Sequence, residues 1–278
     1  MRRNCLVTGA NRGIGLEFVR QLLARGEHVV AACRHPGKAT ALNGLAGEHP
    51  GRLHVLPLDV AEPKSRANLL HELPLVLAEE EDGSPGKLDL VVNNAGVLHS
   101  GERFGHMEQA LLEDSLRTNA IGPFLLSQAL APSLRDIEGE RVRNVVGGAG
   151  GAVNSLPDTR SVDRAPGPAD GTQLRRTVVA NISSQLGSIA NTTRFGTPSY
   201  AISKAAQNMA SALLARALGE RGIVVLALHP GWVMTEMGGE HATLPTADAV
   251  RGLLAVIDAA RPAQSGSFLD WRGESLPW

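Results

Sequence analysis

The chain has 278 residues, of which 43% are hydrophobic, so it is long enough to bury a full core. Its 27 basic and 28 acidic residues leave a formal net charge of −1, which offers no broad electrostatic attraction to nucleic acid or to an anionic membrane. The composition therefore favours a small neutral or locally anionic ligand.

Short apolar runs alternate along the chain with longer segments of helical period. We predict strands over 4–8, 27–33, 53–60, 88–94, 177–183, 223–229 and 266–271. We predict helices over 14–25, 64–81 (interrupted by Pro74), 107–137, 199–221 and 247–260. This alternation predicts parallel strands joined by crossover helices, and continuous apolar strands predict burial on both faces. The predicted fold class is α/β: a single doubly wound Rossmann-fold domain over residues 1–278, with a seven-stranded parallel sheet flanked by helices.

The segment from about 142 to 176 breaks this alternation. It is rich in Gly, Pro, Asp and Arg and has neither period, so we predict an exposed or disordered insertion. It joins a helix to a strand and so belongs at the amino ends of the parallel strands, whereas ligands bind at the carboxyl ends. We expect it to lie away from the ligand site.

Export and membrane insertion are not indicated by the sequence. The N-terminal apolar run is cut short by Gly9 and Asn11, and no run approaches the roughly 18 apolar residues of a membrane span. Cys5 and Cys33 form no CxxC pair and lie in apolar stretches, which is typical of core residues in a reducing compartment. We predict a cytoplasmic location, with no membrane and no nucleic acid as partner.

A glycine-rich turn, TGANRGIG at 8–15, follows the first predicted strand and opens a helix. Its glycines permit a tight turn and a close approach of the backbone to a pyrophosphate, which N–H groups at the helix start would hold. The first βα turn of an α/β chain is the context that this motif requires. We predict that a dinucleotide binds here, with a purely structural turn as the alternative. The residues expected to contact it are Gly9, Asn11, Arg12, Gly13, Ile14 and Gly15.

The end of the second predicted strand distinguishes the two common dinucleotides. NAD sites commonly place an acid here, whereas the 2′-phosphate of NADP requires a cation. This chain reads Ala32, Cys33, Arg34 with no acid, and Arg12 of the glycine turn can approach the same phosphate from the other side. We predict NADP(H) as the cofactor; two solvated surface arginines are the alternative.

The only tyrosine of the chain, Tyr200, lies four residues before Lys204 in the stretch YAISK. On a helix the two residues share a face. A nearby ammonium group, together with the positive ring of an oxidised nicotinamide, would lower the pKa of the phenol by favouring phenolate. Tyr200 could then act as an acid towards a ketone oxygen or as a base towards an alcohol. The alternative is an ordinary amphipathic helix with a partly exposed tyrosine.

Motifs in a fixed order make the chain resemble the short-chain dehydrogenase/reductase superfamily. They are TGANRGIG at 8–15, LDV at 58–60, NNAG at 93–96, Asn119 in LRTNAIG, NISS at 181–184, YAISK at 200–204 and HPGWV at 229–233. The resemblance covers nearly the whole chain except the insertion. The stretch HPGWVMTEMGG and the ending SGSFLDWRGESLPW further resemble the C-factor and sniffer-like carbonyl reductase subgroup.

The resemblance implies a role for each matching residue. Ser184 would hold the substrate carbonyl by a hydrogen bond, and Tyr200 would donate the proton. Lys204 would lower the pKa of Tyr200 and bind the nicotinamide ribose, while Asn119 would help to hold a water that relays protons to the lysine. The implied cofactor contacts are Asp59 and Val60 at the adenine, Asn93, Ala95 and Gly96 at the adenosine ribose, and Pro230, Gly231, Val233 and Thr235 at the nicotinamide amide.

One interval departs from the family pattern. The segment between Ser184 and Tyr200 is longer than the family usually shows, so Ser183 and Ser188 are alternatives for the serine. Side chains alternate across a strand, which places the side chain of Ser183 on the face opposite to that of Ser184. Ser184 is therefore the preferred candidate.

The nine histidines form no HxxxH motif and no paired Cys/His spacing, so no metal site is predicted. His229 ends a predicted buried strand. We expect the histidines to be structural residues whose hydrogen bonds are satisfied.

The segments expected to ring the substrate are mostly apolar. They are 97–99, 186–189, 195–198 and 232–237, with Arg194 as the only cation. This lining favours an uncharged aldehyde, ketone or quinone over a phosphorylated or acyl-carrier substrate. The predicted partner is thus a small carbonyl or alcohol compound.

Two long predicted helices could form an interface between subunits. In the superfamily that the chain resembles, the helices near 110–136 and 200–220 commonly form a dimer face, which favours a homodimer. The apolar residues of these helices could equally belong to the core; they are Leu111, Leu112, Leu125, Leu126, Met209, Leu213 and Leu214.

The main functional hypothesis is an NADPH-dependent oxidoreductase that reduces a carbonyl to an alcohol by hydride transfer, with Tyr200 as general acid/base. A second is an NADP(H)-binding regulatory or signalling protein with little turnover, which the resemblance to C-factor keeps open. A third is a structural Rossmann-like module without a ligand, which the glycine turn argues against. The complete set of Asn119, Ser184, Tyr200 and Lys204 argues against the second, because a sensor has no chemical reason to carry it.

Overall fold

The computed structural model of the chain describes residues 2–80, 83–136 and 176–278. The predicted insertion at 142–176 lies outside the described residues, apart from Arg176. The guanidinium of Arg176 donates a hydrogen bond to the carbonyl of Ala260. In the part of the chain that is described, no helix combines the length and the apolar character needed to cross a membrane.

Seven parallel strands form one sheet, and each falls within a run predicted from the sequence. They are β1 (Asn4–Thr8), β2 (His28–Cys33), β3 (Leu53–Pro57), β4 (Leu90–Asn93), β5 (Val178–Ile182), β6 (Val224–His229) and β7 (Phe268–Asp270). Their order across the sheet is β3-β2-β1-β4-β5-β6-β7, which confirms the doubly wound fold. The order reverses between β1 and β4, where sheets of this kind open a crevice at the carboxyl ends of their strands.

Helices connect the strands. They are α1 (Gly13–Ala24), α2 (Thr40–Glu48), α3 (Pro63–Val76), α4 (Gln109–Leu116), α5 (Gly122–Leu130), α6 (Pro198–Leu218) and α7 (Thr246–Asp258). The sequence did not predict α2, because Gly44 and Gly47 weaken its helical propensity. Pro74 does not interrupt α3, which continues to Val76.

The prediction of one helix over 107–137 is wrong. A π-helical turn at Arg117–Ile121 separates α4 from α5. Pro123 has no N–H to donate to the carbonyl of Asn119, as a continuing α-helix would require. The N–H of Gly122 instead bonds to the carbonyl of Arg117, five residues earlier. Turns of this kind are frequent at functional sites, and this one contains Asn119.

The two faces of the sheet carry separate hydrophobic clusters. On one face α1 and α7 contribute residues such as Phe18 and Leu253. On the other face α3, α5 and α6 contribute residues such as Leu69, Leu126 and Leu214. Burial on both faces explains the continuous apolar strands. It leaves the carboxyl edge of the sheet for a ligand.

Candidate active site

A cavity of about 1080 Å³ lies at the carboxyl edge of the sheet, beside the reversal between β1 and β4. This volume is at the upper end of the range for small-molecule pockets, which suits a dinucleotide with a substrate beside it. The predicted site residues that line it are Gly9, Asn11, Arg12, Gly13, Ile14, Arg34, Asp59, Val60, Ala95, Gly96, Ser184, Tyr200, Lys204, Pro230, Gly231, Val233 and Thr235. Three other predicted residues lie behind this lining: Gly15, Asn93 and Asn119.

The glycine turn has the backbone geometry that an anion site requires. Gly9 and Gly13 adopt φ values of 63° and 53°, which favour glycine. The helix α1 starts directly after Arg12, which gives it no side-chain cap, and its first turn has no acidic residue. Its first N–H groups are therefore suited to hold a phosphate.

Gly15 shapes this turn from behind. A Cβ atom at Gly15 would lie 2.3 Å from the carbonyl oxygen of Gly9 and 2.5 Å from Nδ2 of Asn94. A side chain at this position would force the turn to shift. Gly15 itself does not line the cavity, and its close packing supports the turn.

Asn94, the second residue of the NNAG motif, ties the end of β4 to the glycine turn. Its Nδ2 atom donates to the carbonyls of Thr8 and Gly9 at 3.0 and 3.1 Å. In return, Oγ1 of Thr8 accepts from the backbone N–H groups of Asn94 and Ala95, both at 3.0 Å. These bonds fix the two strand ends between which a dinucleotide would lie.

Asn93 occupies a different environment from the one predicted. Its Nδ2 atom donates to Oγ of Ser127 at 3.0 Å and to Oδ1 of Asn181 at 2.8 Å. Alternation along the strand directs its side chain into the protein interior, and Asn93 does not line the cavity. Asn94 and Ala95 are the neighbours that reach the cavity.

The region after β2 is basic. Cys33 is followed at the cavity wall by Arg34, His35 and Lys38, with no carboxylate among them. Arg12, the other predicted phosphate ligand, forms an ion pair with Glu236 in which both side chains are largely exposed. An exposed pair contributes at most about 1 kcal/mol, so a doubly charged phosphate can compete for Arg12.

Tyr200 and Ser184 meet inside the cavity. Tyr200 lies in the first turn of α6 and is 9% exposed, and its side chain and that of Ser184 line the same cavity. Burial raises the pKa of Tyr200 to about 12, and the neighbouring Ser184 hydroxyl opposes this shift. The net shift is opposite to the one expected from Lys204, because loss of solvation penalises phenolate more than the neighbouring groups favour it.

The other two serines are engaged elsewhere. Oγ of Ser183 donates to Oδ1 of Asn208, inside the protein. Oγ of Ser188 donates to the carbonyl of Trp278 and accepts from a backbone N–H, and Ser188 does not line the cavity. The structure thus brings Ser184, and neither alternative, against Tyr200.

Lys204 is deeply buried beside Tyr200. Its Nζ atom lies 5.5 Å from the centroid of the Tyr200 ring and donates to the carbonyl of Ile182 at 2.7 Å. A second hydrogen bond runs from Nζ to Oε1 of Gln207 at 2.8 Å. Burial lowers the pKa of Lys204 to about 7, because the ammonium group has lost its hydration.

Asn119 supports the site from behind. Its side-chain amide donates to the carbonyl of Val97 and to Oγ of Ser203, both at 2.9 Å, and it accepts from the N–H of Val97 at 2.8 Å. These bonds hold the loop after β4 against α6. The amide of Asn119 therefore makes its hydrogen bonds to the backbone of Val97 and to the side chain of Ser203.

The expectation that the histidines are satisfied structural residues is wrong for two of them. The Nδ1 atoms of His28 and His229 are buried and have no hydrogen-bond partner among the described residues. His229 lines the cavity, and burial lowers its pKa to about 4, so its imidazole is neutral at physiological pH. Residues 2–80, 83–136 and 176–278 contain no cluster of histidine, cysteine and acidic side chains that could hold a metal.

Several residues that were predicted to ring the substrate line the cavity. They are Val97, Leu98, Leu186, Arg194 and all six residues of 232–237, of which Glu236 is acidic, whereas residues 195–198 are not part of the lining. Next to Arg194, Phe195 forms an edge-to-face pair with Phe104 whose ring centroids are 5.6 Å apart.

Comparisons with known proteins agree with this geometry. The family model described as "short chain dehydrogenase" matches residues 3–155 and 173–244. C-signal from Myxococcus xanthus is 37% identical over 193 residues, which are 69% of this chain and 94% of that protein. Two solved structures have a TM-score of 0.81 over the full length of both chains: an NADPH-bound carbonyl reductase from chicken fatty liver, 33% identical, and the carbonyl reductase Sniffer of D. melanogaster, 28% identical.

Proposed function

The chain belongs to the short-chain dehydrogenase family of oxidoreductases, and on this premise we propose that it uses NADPH to reduce a carbonyl compound to an alcohol. The observation that carries the proposal is the meeting of Ser184, Tyr200 and Lys204 in the cavity that the glycine turn also lines. NADPH supplies the hydride when it is bound. The chicken enzyme, a structural relative, was solved with NADPH bound.

The residues of the chain position the reactants and move the proton. Ser184 donates a hydrogen bond to the substrate oxygen and holds the carbonyl next to the phenol of Tyr200. As the carbonyl carbon accepts the hydride, Tyr200 donates its proton to the oxygen, so the C=O group becomes CH–OH. Lys204 holds the ribose and stabilises the phenolate until solvent returns the proton.

The raised pKa of Tyr200 suits the role of proton donor in carbonyl reduction. Burial keeps the phenol protonated well above neutral pH, and the protonated form is the acid that reduction needs. Oxidation needs phenolate, which requires a charged Lys204. The apolar lining around Leu98 and Leu186 favours an uncharged aldehyde, ketone or quinone as the substrate.

A second candidate is a signalling protein that binds NADP(H) with little turnover. It is supported by the 37% identity to a protein named C-signal. The deciding experiment follows NADPH consumption by absorbance with a panel of aldehydes, diketones and quinones. Consumption that depends on a carbonyl supports the reductase. NADPH binding without consumption across the panel contradicts it and favours the signalling protein.

Preference for NADPH over NADH is tested by reversing one charge. We expect Arg34→Asp to raise the KM for NADPH about tenfold or more and to leave that for NADH unchanged or lower, because a hydrogen-bonded ion pair with the 2′-phosphate is lost. Arg251→Asp is the matched control, because Arg251 is exposed on α7, pairs with Asp248 and does not line the cavity. An unchanged KM for NADPH in the Arg34 variant would refute the assignment.

We infer a homodimer through the exposed face of α5 and α6. Met209 and Leu213 are 63% and 55% exposed, whereas Leu126 and Leu214 of the same helices are core residues. A groove of about 490 Å³ runs between these helices and includes Leu213. Exposed apolar patches of this kind mark interaction sites.

The oligomeric state is tested by size-exclusion chromatography with light scattering, which measures the molar mass of the protein as it elutes. We expect the wild type to have the mass of a dimer and a Met209→Glu, Leu213→Glu double variant to have that of a monomer. Leu75→Glu, at an exposed position of α3, should remain dimeric. A monomeric wild type would contradict the inference.

A further inference from the structure

Gln207 is a buried polar residue that the family motifs do not include. It lies one turn after Lys204 on α6 and is 1% exposed. Its Oε1 atom accepts from Nζ of Lys204 at 2.8 Å, and its Nε2 atom has no partner among the described residues. A buried amide that leaves its own donor unsatisfied carries a cost in stability. Among the described residues, the bond with Lys204 is the one hydrogen bond that this side chain makes.

The amine of Lys204 donates hydrogen bonds to two uncharged oxygen atoms. An ammonium group has three N–H donors. Two of them bond to the carbonyl of Ile182 at 2.7 Å and to Gln207, and the amine also lines the cavity. The carbonyl of Ile182 belongs to the backbone, so Gln207 is the side chain that supplies an acceptor. Because Lys204 is only 3% exposed, water cannot freely replace a lost hydrogen-bond acceptor of its amine.

No carboxylate within the described ranges lies at ion-pair distance from Lys204, and burial is the cause of its lowered pKa. The charged or titratable groups on the elements around α6 are otherwise engaged or neutral. Asp114 pairs with His99, Arg117 pairs with Glu62, and Glu102 accepts from the N–H of Ser199. His229 is neutral, and Tyr200 is the remaining titratable neighbour.

We propose that Gln207 is a positioning residue that keeps Lys204 in its ammonium form and fixes that ammonium beside Tyr200. Without the Oε1 acceptor, the charged amine would lose one of its two hydrogen bonds to protein and would give up its proton more readily. A hydrogen bond to a charged group changes such an equilibrium by about tenfold or more.

The direct test measures the protonation of Lys204 without turnover. The chain has only four lysines, Lys38, Lys64, Lys87 and Lys204, so protein labelled with ¹³C at lysine Cε gives few signals. A Lys204→Met variant identifies the signal of Lys204 by its loss. We expect Gln207→Leu to lower the titration midpoint of Lys204 by about one pH unit or more, since a tenfold change in equilibrium is one unit. Lys64 and Lys87, which do not line the cavity, are controls in the same sample.

A second variant keeps the inference testable if the leucine variant fails to fold. Gln207→Glu places a carboxylate oxygen at the same position and is expected to raise the midpoint of Lys204 above that of the wild type. Unchanged midpoints in the folded variants would overturn the proposal. The single tyrosine, labelled at Cζ, reports the ionisation of Tyr200 in the same way.

The consequence for turnover rests on the proposed function. Oxidation of cyclohexanol with NADP⁺ needs the state in which Lys204 is charged and Tyr200 is ionised. This state holds the same number of protons as the state in which Lys204 is neutral and Tyr200 is protonated, so the ratio of the two does not depend on pH. We therefore expect Gln207→Leu to oxidise cyclohexanol at the wild-type rate at acidic pH and to level off about tenfold lower at alkaline pH. A uniform fall at every pH would indicate a merely structural role and overturn the proposal. A shifted midpoint of Lys204 without turnover in any variant would support this inference and count against the proposed reductase.

Discussion

A Tyr200→Phe variant is expected to reduce carbonyl substrates at least about a hundredfold more slowly than the wild type, which is the usual range for loss of a general acid. The substitution removes only the hydroxyl, which is next to Ser184, and leaves the ring in its buried position. The kcat from NADPH consumption should therefore fall, while the Kd for NADPH from fluorescence titration should remain unchanged.

Two matched serine variants accompany this experiment. Ser184→Ala should also lower kcat, because it removes the group that holds the carbonyl. Ser188→Ala should leave kcat unchanged, because Ser188 faces the backbone carbonyl of Trp278 outside the cavity. Unimpaired reduction by the phenylalanine variant would eliminate the proposed proton donor.

Replacing Gly15 by alanine is expected to lower the free energy of unfolding by about 2 kcal/mol, a common cost of overpacking. The new methyl group would lie 2.3 Å from the carbonyl oxygen of Gly9 and would strike Asn94, so the turn would have to shift. We expect NADPH binding to weaken at least about tenfold, because the N–H groups that hold a phosphate move with the turn. Urea denaturation and fluorescence titration measure the two effects.

The control for this substitution is another helical glycine. Gly44 lies in α2, and a Cβ atom there would meet no atom within 4 Å. Gly44→Ala should stabilise the protein by up to about 1 kcal/mol, since alanine favours the helix, and it should leave NADPH binding unchanged. Wild-type stability and affinity in the Gly15 variant would show that the turn has room that the structure does not indicate.

The strands were predictable because both faces of the sheet are covered. Continuous apolar runs such as 223–229 have no other stable place in an α/β fold, and the turns that bound them contain glycine or proline. Helix limits were harder to predict. The break at Arg117–Ile121 depends on a single proline within an otherwise regular helical period, and α2 has too little periodicity to stand out.

The lining of the candidate site was predictable where a residue type and its spacing indicate a chemical role, as at Tyr200 and Lys204. Sequence could not distinguish Asn93 from Asn94, because the choice depends on where the strand ends and which way its last side chain points. Nor could it reveal Gln207, whose contact with Lys204 matters only because both residues are deeply buried. The direction of the pKa shift of Tyr200 follows from the same burial.

The burial of Lys204 affects the whole protein as well as its chemistry. Its pKa falls from an ordinary value of 10.5 to about 7 on folding, so between these values the unfolded chain binds more protons than the folded one. This residue therefore destabilises the native state at neutral pH, and its penalty diminishes as the pH rises through that window. This is a trade-off between stability and activity. The amine proposed to take part in the reaction is buried, and burial disfavours its charged form.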